Sequence, residues 1–142
     1  MEEVFKKKLN FKEEAHLFSA NIPKELEQEL AWLKALSTSE PAEEIDLALI
    51  FVQKVKDLND WIDLISPRLK GDAKLWFAYP KKSSKNYKSE ITRDSGWTKI
   101  GDYEMEPVRQ IALNEDWSAL RFRKLAYIKT LSRRESMRLT KK

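Results

Sequence analysis

Leu47-Ala48-Leu49-Ile50-Phe51-Val52 is an unbroken apolar run with no alternation in it. A strand with one wet face shows period-two alternation. A run apolar at every position therefore predicts a strand covered on both faces, as at the centre of a parallel sheet. Leu75-Trp76-Phe77-Ala78-Tyr79 repeats the pattern, and Pro80 stops it. Between the two, Val55, Leu58, Trp61, Ile62, Ile65 and Leu69 keep helical spacing until Pro67 and Gly71 close the segment. Two doubly covered strands joined by a helix imply a right-handed crossover between parallel neighbours. Residues 47–52 and 75–79 are thus predicted to lie side by side, both buried.

Working outward, Ala15 to Ala20 reads as a short strand, and Asn21-Ile22-Pro23 after it suits a helix start. Leu26, Leu30 and Leu33 recur at i, i+4 and i+7, which predicts a helix from Lys24 to about Ala35. Ser37 to Glu44 is a polar connection. After the second buried strand comes a basic stretch, then a short helix predicted over Ser89 to about Lys99, ending near Gly101. Pro107 to Leu113 and Ser118 to Leu125, separated by Asn114-Glu115-Asp116-Trp117, read as an antiparallel hairpin. The order β-α-β-α-β-α-β-β predicts an α/β fold: a three-layer Rossmann-like domain with a mainly parallel sheet and a C-terminal antiparallel hairpin. One domain over residues 1–131 is expected, with 132–142 a basic C-terminal tail, frayed or a loosely docked helix.

Composition removes several kinds of chemistry. The 142 residues hold no cysteine and one histidine, so disulfides, thiolate catalysis and Cys- or His-cluster metal sites are excluded. Glu43, Glu44 and Asp46, then Asp57, Asp60 and Asp63, and finally Glu115 and Asp116 read as solvated carboxylates. None is an isolated pair in an apolar setting, and no oxygen-ligand loop spacing occurs. Ser83, Ser84 and Ser118 have only His16, at the far end of the chain, as a base, so a Ser–His triad is not expected. Neither a catalytic residue, a metal nor a cofactor is expected from these patterns. With no apolar stretch of membrane-spanning length and no apolar leader, the chain reads as cytoplasmic, with no membrane partner.

The charges are unevenly divided. Residues 1–72 carry 10 Lys/Arg against 15 Asp/Glu, net −5, and residues 73–142 carry 17 against 8, net +9, which together make the chain's +4. An anionic partner would bind the second half. Lys81, Lys82, Lys85 and Lys88, interleaved with Ser83, Ser84 and Tyr87, follow the carboxyl end of a predicted central strand. That edge is the ordinary ligand crevice of open α/β sheets, and ammonium and hydroxyl groups suit phosphate oxygens. The same stretch also reads as solvated loop. Arg93, beside Asp94 and near Trp97, could face an anion with an indole stacked beside it, or form a local ion pair with the indole in the core. Arg121 and Arg123 alternate with Leu120 and Phe122, so both leave one strand face, where Arg109 of the partner strand joins them in one register. They would bind phosphates or pair with carboxylates across the hairpin. If the basic half is one anion site, Lys81, Lys82, Lys85, Arg93, Arg121 and Arg123 must converge on one face.

Three separated motifs occur in order: Tyr79-Pro80-Lys81-Lys82-Ser83-Ser84-Lys85, Ile91-Thr92-Arg93-Asp94 with Gly96-Trp97, and Glu115-Asp116-Trp117-Ser118-Ala119-Leu120-Arg121-Phe122-Arg123. On them the chain, over roughly Ala15 to Ile128, resembles a family of small bacterial proteins grouped as a domain of unknown function. That resemblance implies no reaction. In architecture, the apolar strand, the amphipathic helix, and Pro67-Arg68-Leu69-Lys70-Gly71 leading into the second strand and hairpin resemble the later half of Rossmann-like methyltransferases. The chain departs from them after its first strand. Its only glycines are Gly71, Gly96 and Gly101, so Asn21-Ile22-Pro23-Lys24 stands where a glycine-rich turn is expected. Adenosylmethionine or a dinucleotide is therefore expected to bind weakly or not at all. Three functions remain: a non-enzymatic binding module for a phosphate-bearing partner, nucleotide or RNA; a reduced methyltransferase-like enzyme subunit; or a protein-interaction domain that forms homo-oligomers or takes a protein partner.

Overall fold

The apolar run at the centre of the sequence is strand β3 (Ile45–Phe51) in the computed structural model, which describes residues 2–128. Around it the chain forms α1 (Glu2–Lys8), β1 (Leu17–Ala20), α2 (Ala31–Leu36), β2 (Ser37–Thr38), α3 (Val55–Ile65), β4 (Leu69–Pro80), α4 (Thr98–Gly101), β5 (Met105–Ala112) and β6 (Trp117–Lys124). The six strands form one sheet in the order β2-β1-β3-β4-β6-β5. β3 runs parallel to β4 with Ala48 opposite Leu75 and Ile50 opposite Phe77, as the doubly apolar runs require. β1 joins β3 in parallel, β2 joins β1 in parallel, and β6 pairs antiparallel with both β4 and β5. This is the expected Rossmann-like α/β sheet with an antiparallel end.

Strand alternation sends successive residues of β3 and β4 to opposite layers. Ala48, Ile50, Leu75 and Phe77 pack with Leu58, Ile62 and Ile65 of α3 and with Trp97 and Ile100 around α4. Leu47, Leu49, Trp76 and Ala78 pack with Leu9, Leu30 and Leu33 on the other face, beneath α1 and α2. Both faces of the central strands are covered, which is why neither strand shows an alternating pattern in sequence.

Several segments differ from the reading of the sequence, each for a local reason. The expected helix over Lys24 to Ala35 is a 3₁₀ turn at Lys24–Leu26 followed by α2. Leu26, Leu30 and Leu33 are nevertheless all buried, because their burial needs the spacing and not one unbroken helix. The helix expected from Ser89 is only the four residues of α4. Before it, Ser89 Oγ donates to the Ile91 carbonyl, Thr92 and Ser95 bridge each other, and Gly96 takes φ +100°. Such side-chain bonds to nearby groups compete with helix formation. β4 starts at Leu69 instead of Leu75, and its pairing with β3 slips at Ile45/Leu47, near the left-handed Gly71. Convergence of the loop lysines and hairpin arginines required the strand after the lysine loop to lie beside β4, and it is instead the outer one: β5 is the edge, and β6 lies between. α1, too short for a periodic signal, docks by Phe5, with Leu9 just past its end. The tail 132–142 lies outside the described residues. Among those residues, no helix is long and apolar enough to cross a membrane.

Candidate functional site

The connection leaving β1 runs to β2 on one side, and the connection leaving β3 runs to β4 on the other. Between the carboxyl ends of β1 and β3, adjacent loops therefore part and leave a crevice, the place where open α/β sheets take ligands. A cleft of about 550 Å³ opens there, walled by Asn21 after β1, Gln53 after β3, Asp57 and Trp61 of α3, Tyr87 of the loop after β4 and Trp117 at the start of β6. Phe51 meets Trp117 edge to face at 5.1 Å, and Tyr87 packs on Trp117 at 4.9 Å, so one wall is continuous aromatic surface.

Asn21 has φ 61° and its Nδ2 donates to the Phe51 carbonyl at 3.4 Å. The left-handed turn that glycine would supply after β1 is thus made by asparagine, one of the few other residues that tolerates it. Its side chain occupies space that a glycine would leave open, and Pro23 contributes no N–H.

A carboxylate ties this edge together. Glu25 accepts from Tyr87 Oη at 2.9 Å and from Trp117 Nε1 at 3.3 Å. Burial presses the Glu25 pKa upward, but the bonds from Tyr87, its own backbone and Trp117 outweigh that, and the net shift is down. Tyr87 moves the opposite way, raised first by its bond to Glu25 and then by burial. A depressed carboxylate pKa contributes stability that is present above the unfolded value and lost as pH falls through the folded value. We expect acidification through that range to release Tyr87 from Trp117, shown by an indole fluorescence change that the parent undergoes and Glu25→Gln, which has no carboxyl to titrate, does not. A parent titration identical to that of the Gln variant would remove Glu25 from this role.

The basic residues singled out from the sequence are not gathered into one site. The loop after β4 is pinned: Lys81 N–H donates to the Asp116 carbonyl at 2.7 Å, Ser84 Oγ to Asp116 Oδ1 at 2.8 Å and Asn86 Nδ2 to Asp116 Oδ2 at 3.1 Å. Ser84 is therefore engaged by a largely buried carboxylate, where Asp116 had read as solvated. Lys82, Ser83 and Lys85 are exposed on the loop, and Lys81 is half-buried. Arg93 is exposed, with Asp94 Oδ1 3.7 Å from its Nε. Trp97 is only 2% exposed; its ring lies 5.0 Å from Phe122 and 5.4 Å from Tyr79, and its Nε1 donates to the Thr92 carbonyl. It is a core residue, not a stacking platform.

Arg121 stands opposite Trp76, four residues before the end of β4, roughly 13 Å from the loop. Arg123 is farther still and forms a two-point pair with Asp72 at 2.9 and 2.7 Å. Arg109 faces Arg121 across the hairpin. The expected convergence of the six side chains fails because β6 runs antiparallel to β4 and carries its arginines away from the loop. His16 bonds Asp46 at 3.0 Å, before β1 and within the start of β3, far from the serines. Among the described residues no group of His, Asp and Glu could hold a metal ion.

Solved structures resolve what this sheet resembles. The chain superposes on a SAM-dependent methyltransferase from Aquifex aeolicus with a TM-score of 0.59, 11% identity, and coverage of 86% of this chain and 88% of that one. The fold is that of the SAM-dependent methyltransferases. A protein assigned as a type 11 methyltransferase from Sulfolobus solfataricus gives a TM-score of 0.52 and 12% identity over 93% of this chain and 85% of its own. No protein-family model and no curated protein matches the sequence, so the three-motif likeness stays one of sequence alone. Within the methyltransferase fold the cleft lies where β1 and β3 diverge. The sequence signals for it were Asn before Ile22-Pro23, and Gln53 as the first polar residue after the apolar run.

Proposed function

We propose that this is a methyltransferase-like domain whose cleft takes a nucleoside sulfonium of the adenosylmethionine class. One observation carries the reading: among the described residues no lysine or arginine lines the cleft, while aromatic rings, two amides and the Asp57 carboxylate do. Such a wall favours a planar base and a cationic centre, through stacking and cation–π attraction, over phosphate. Trp61, Tyr87 and Trp117 offer the ring surfaces, Asn21 and Gln53 the amides, and Asp57 a carboxylate for hydroxyl or ammonium groups. The ligand, when bound, supplies an electrophilic methyl group. The crowded turn at Asn21 and Pro23 is the feature that opposes tight binding, and it weighs more heavily against a pyrophosphate, which depends on close backbone N–H groups.

Calorimetry against adenosylmethionine, adenosylhomocysteine and ATP tests this. We expect adenosylmethionine to bind with Kd of about 10⁻⁴ M, near −5.5 kcal/mol, and ATP not measurably. Asp57→Asn, at an exposed position, should weaken adenosylmethionine several-fold without moving Tm. ATP binding as tightly as adenosylmethionine, or no binding of adenosylmethionine at millimolar concentration, overturns the reading.

A further inference from the structure

At the other end of the sheet, on the face beneath α1, the side chains of Lys74, Arg109, Arg121 and Arg123 gather with Glu14, Asp72 and Glu106. Register explains the grouping. Arg109 is paired directly with Arg121 between β5 and β6, Glu106 with Arg123, and Arg121 with Trp76 of β4, so all point to one face.

The carboxylates here are engaged. Asp72 holds Arg123, Glu14 lies 2.5 Å from Lys74, and the buried Glu106 has interactions of its own. What remains is a directly opposed arginine pair, an arrangement that costs stability in a sheet. The Arg121 Nε is enclosed and has no hydrogen-bond partner among the described residues, while Arg109 is exposed beside it. Burial first, and then Arg123, push the Arg121 pKa down from its usual value. Two guanidinium groups with donors to spare, one of them already partly desolvated, form a fork that matches tetrahedral oxyanions.

We propose that Arg109 and Arg121 form a phosphate site for the backbone of a nucleic-acid strand, separate from the cleft between β1 and β3. A strand is favoured over a lone anion by the charge of the sequence that continues from the hairpin. Lys74 and Arg123 share the face but are each held by a carboxylate, whereas the sequence after the described residues carries Lys129, Arg133, Arg134, Arg138, Lys141 and Lys142 against Glu135. The site stands whether or not the cleft takes adenosylmethionine.

Fluorescence anisotropy of the full chain with a labelled single-stranded RNA of about 12 nucleotides, at about 50 and about 200 mM salt, tests the assignment. The double variant Arg109→Gln/Arg121→Met removes both charges and keeps the side-chain stems that pack on the sheet. We expect it to bind the RNA at least about tenfold more weakly, and its log–log salt slope to fall by roughly 1.4 for two lost contacts to a single strand. Its Tm without RNA should equal or exceed that of the parent, since a like-charge pair is gone. Arg109→Lys/Arg121→Lys, which retains charge but not the fork, should fall between, and Lys81→Ala/Lys82→Ala should bind nearly as the parent does. The proposal fails if the parent does not bind the RNA, if the double variant binds like the parent, or if polyglutamate displaces the RNA at matched charge concentration, which would assign the pair to an acidic protein.

Discussion

Trp97→Ala is expected to cost about 3–5 kcal/mol of folding stability, a large share of the roughly 5–15 kcal/mol that holds a domain together. The indole fills the layer between the sheet and α4, against Phe77, Tyr79 and Phe122, and its Nε1 satisfies the Thr92 carbonyl. Truncation leaves a cavity that those rings cannot close without leaving their rotamers, and removes one of the two donors to the Thr92 carbonyl, which keeps the Ser95 N–H. Trp97→Phe retains most of the contact area and loses the hydrogen bond, so a smaller loss is expected. Urea denaturation of the three proteins measures the series. Had the indole stood at a ligand wall, Ala would sit within about 0.5 kcal/mol of the parent, and such a result would return Trp97 to the surface.

The second large effect falls on the loop that carries the lysines. Asp116→Ala removes the acceptor of both the half-buried Ser84 hydroxyl and the exposed Asn86 amide. Bonds to a charged acceptor are each worth about 1.5–3 kcal/mol; part is regained from water at this margin, and a loss of about 2 kcal/mol is expected. The loop should loosen as well, because the Asp116 carboxylate holds it at two points between Lys81 and Tyr87. Trypsin reads this directly, since Lys81, Lys82, Lys85 and Lys88 all lie in the segment. Cleavage there should be fast in Asp116→Ala and slow in the parent, with Asp116→Asn between. Equal cleavage rates would mean that the backbone bonds at Lys81 and Ser84 hold the loop without the side chain. Tyr87 closes the aromatic wall from this loop, so the variant should also bind adenosylmethionine more weakly if the cleft is its site.

The anion reading of the lysine loop separates into two parts under the structure. The loop stays at the carboxyl edge, as expected of a segment after a central strand, but its lysines do not line the cleft beside it. The arginines belong to another surface. A net +9 over the second half of the chain located the basic residues in sequence and not on one face, because charge is counted along the chain and binding needs it gathered in space.

The sequence by itself determined the layers. Leu47–Val52 and Leu75–Tyr79 are apolar at every position, and only a doubly covered parallel strand makes use of that; the helical spacing of Val55 to Ile65 dictated the crossover between them. It also revealed the missing glycine turn at Asn21 to Lys24. Tertiary structure decided which strand of the hairpin meets β4, since an antiparallel pair of similar apolar content fits either way round, and only packing of Phe122 and Leu120 beneath Trp97 selects β6. That choice carried Arg121 and Arg123 away from the lysines and set Arg121 against Arg109. It likewise turned Asp116 from a solvated turn residue into the anchor of a loop, and Trp97 from a candidate stacking ring into core. Contacts between residues 12 to 47 positions apart made these assignments, and local pattern does not record them.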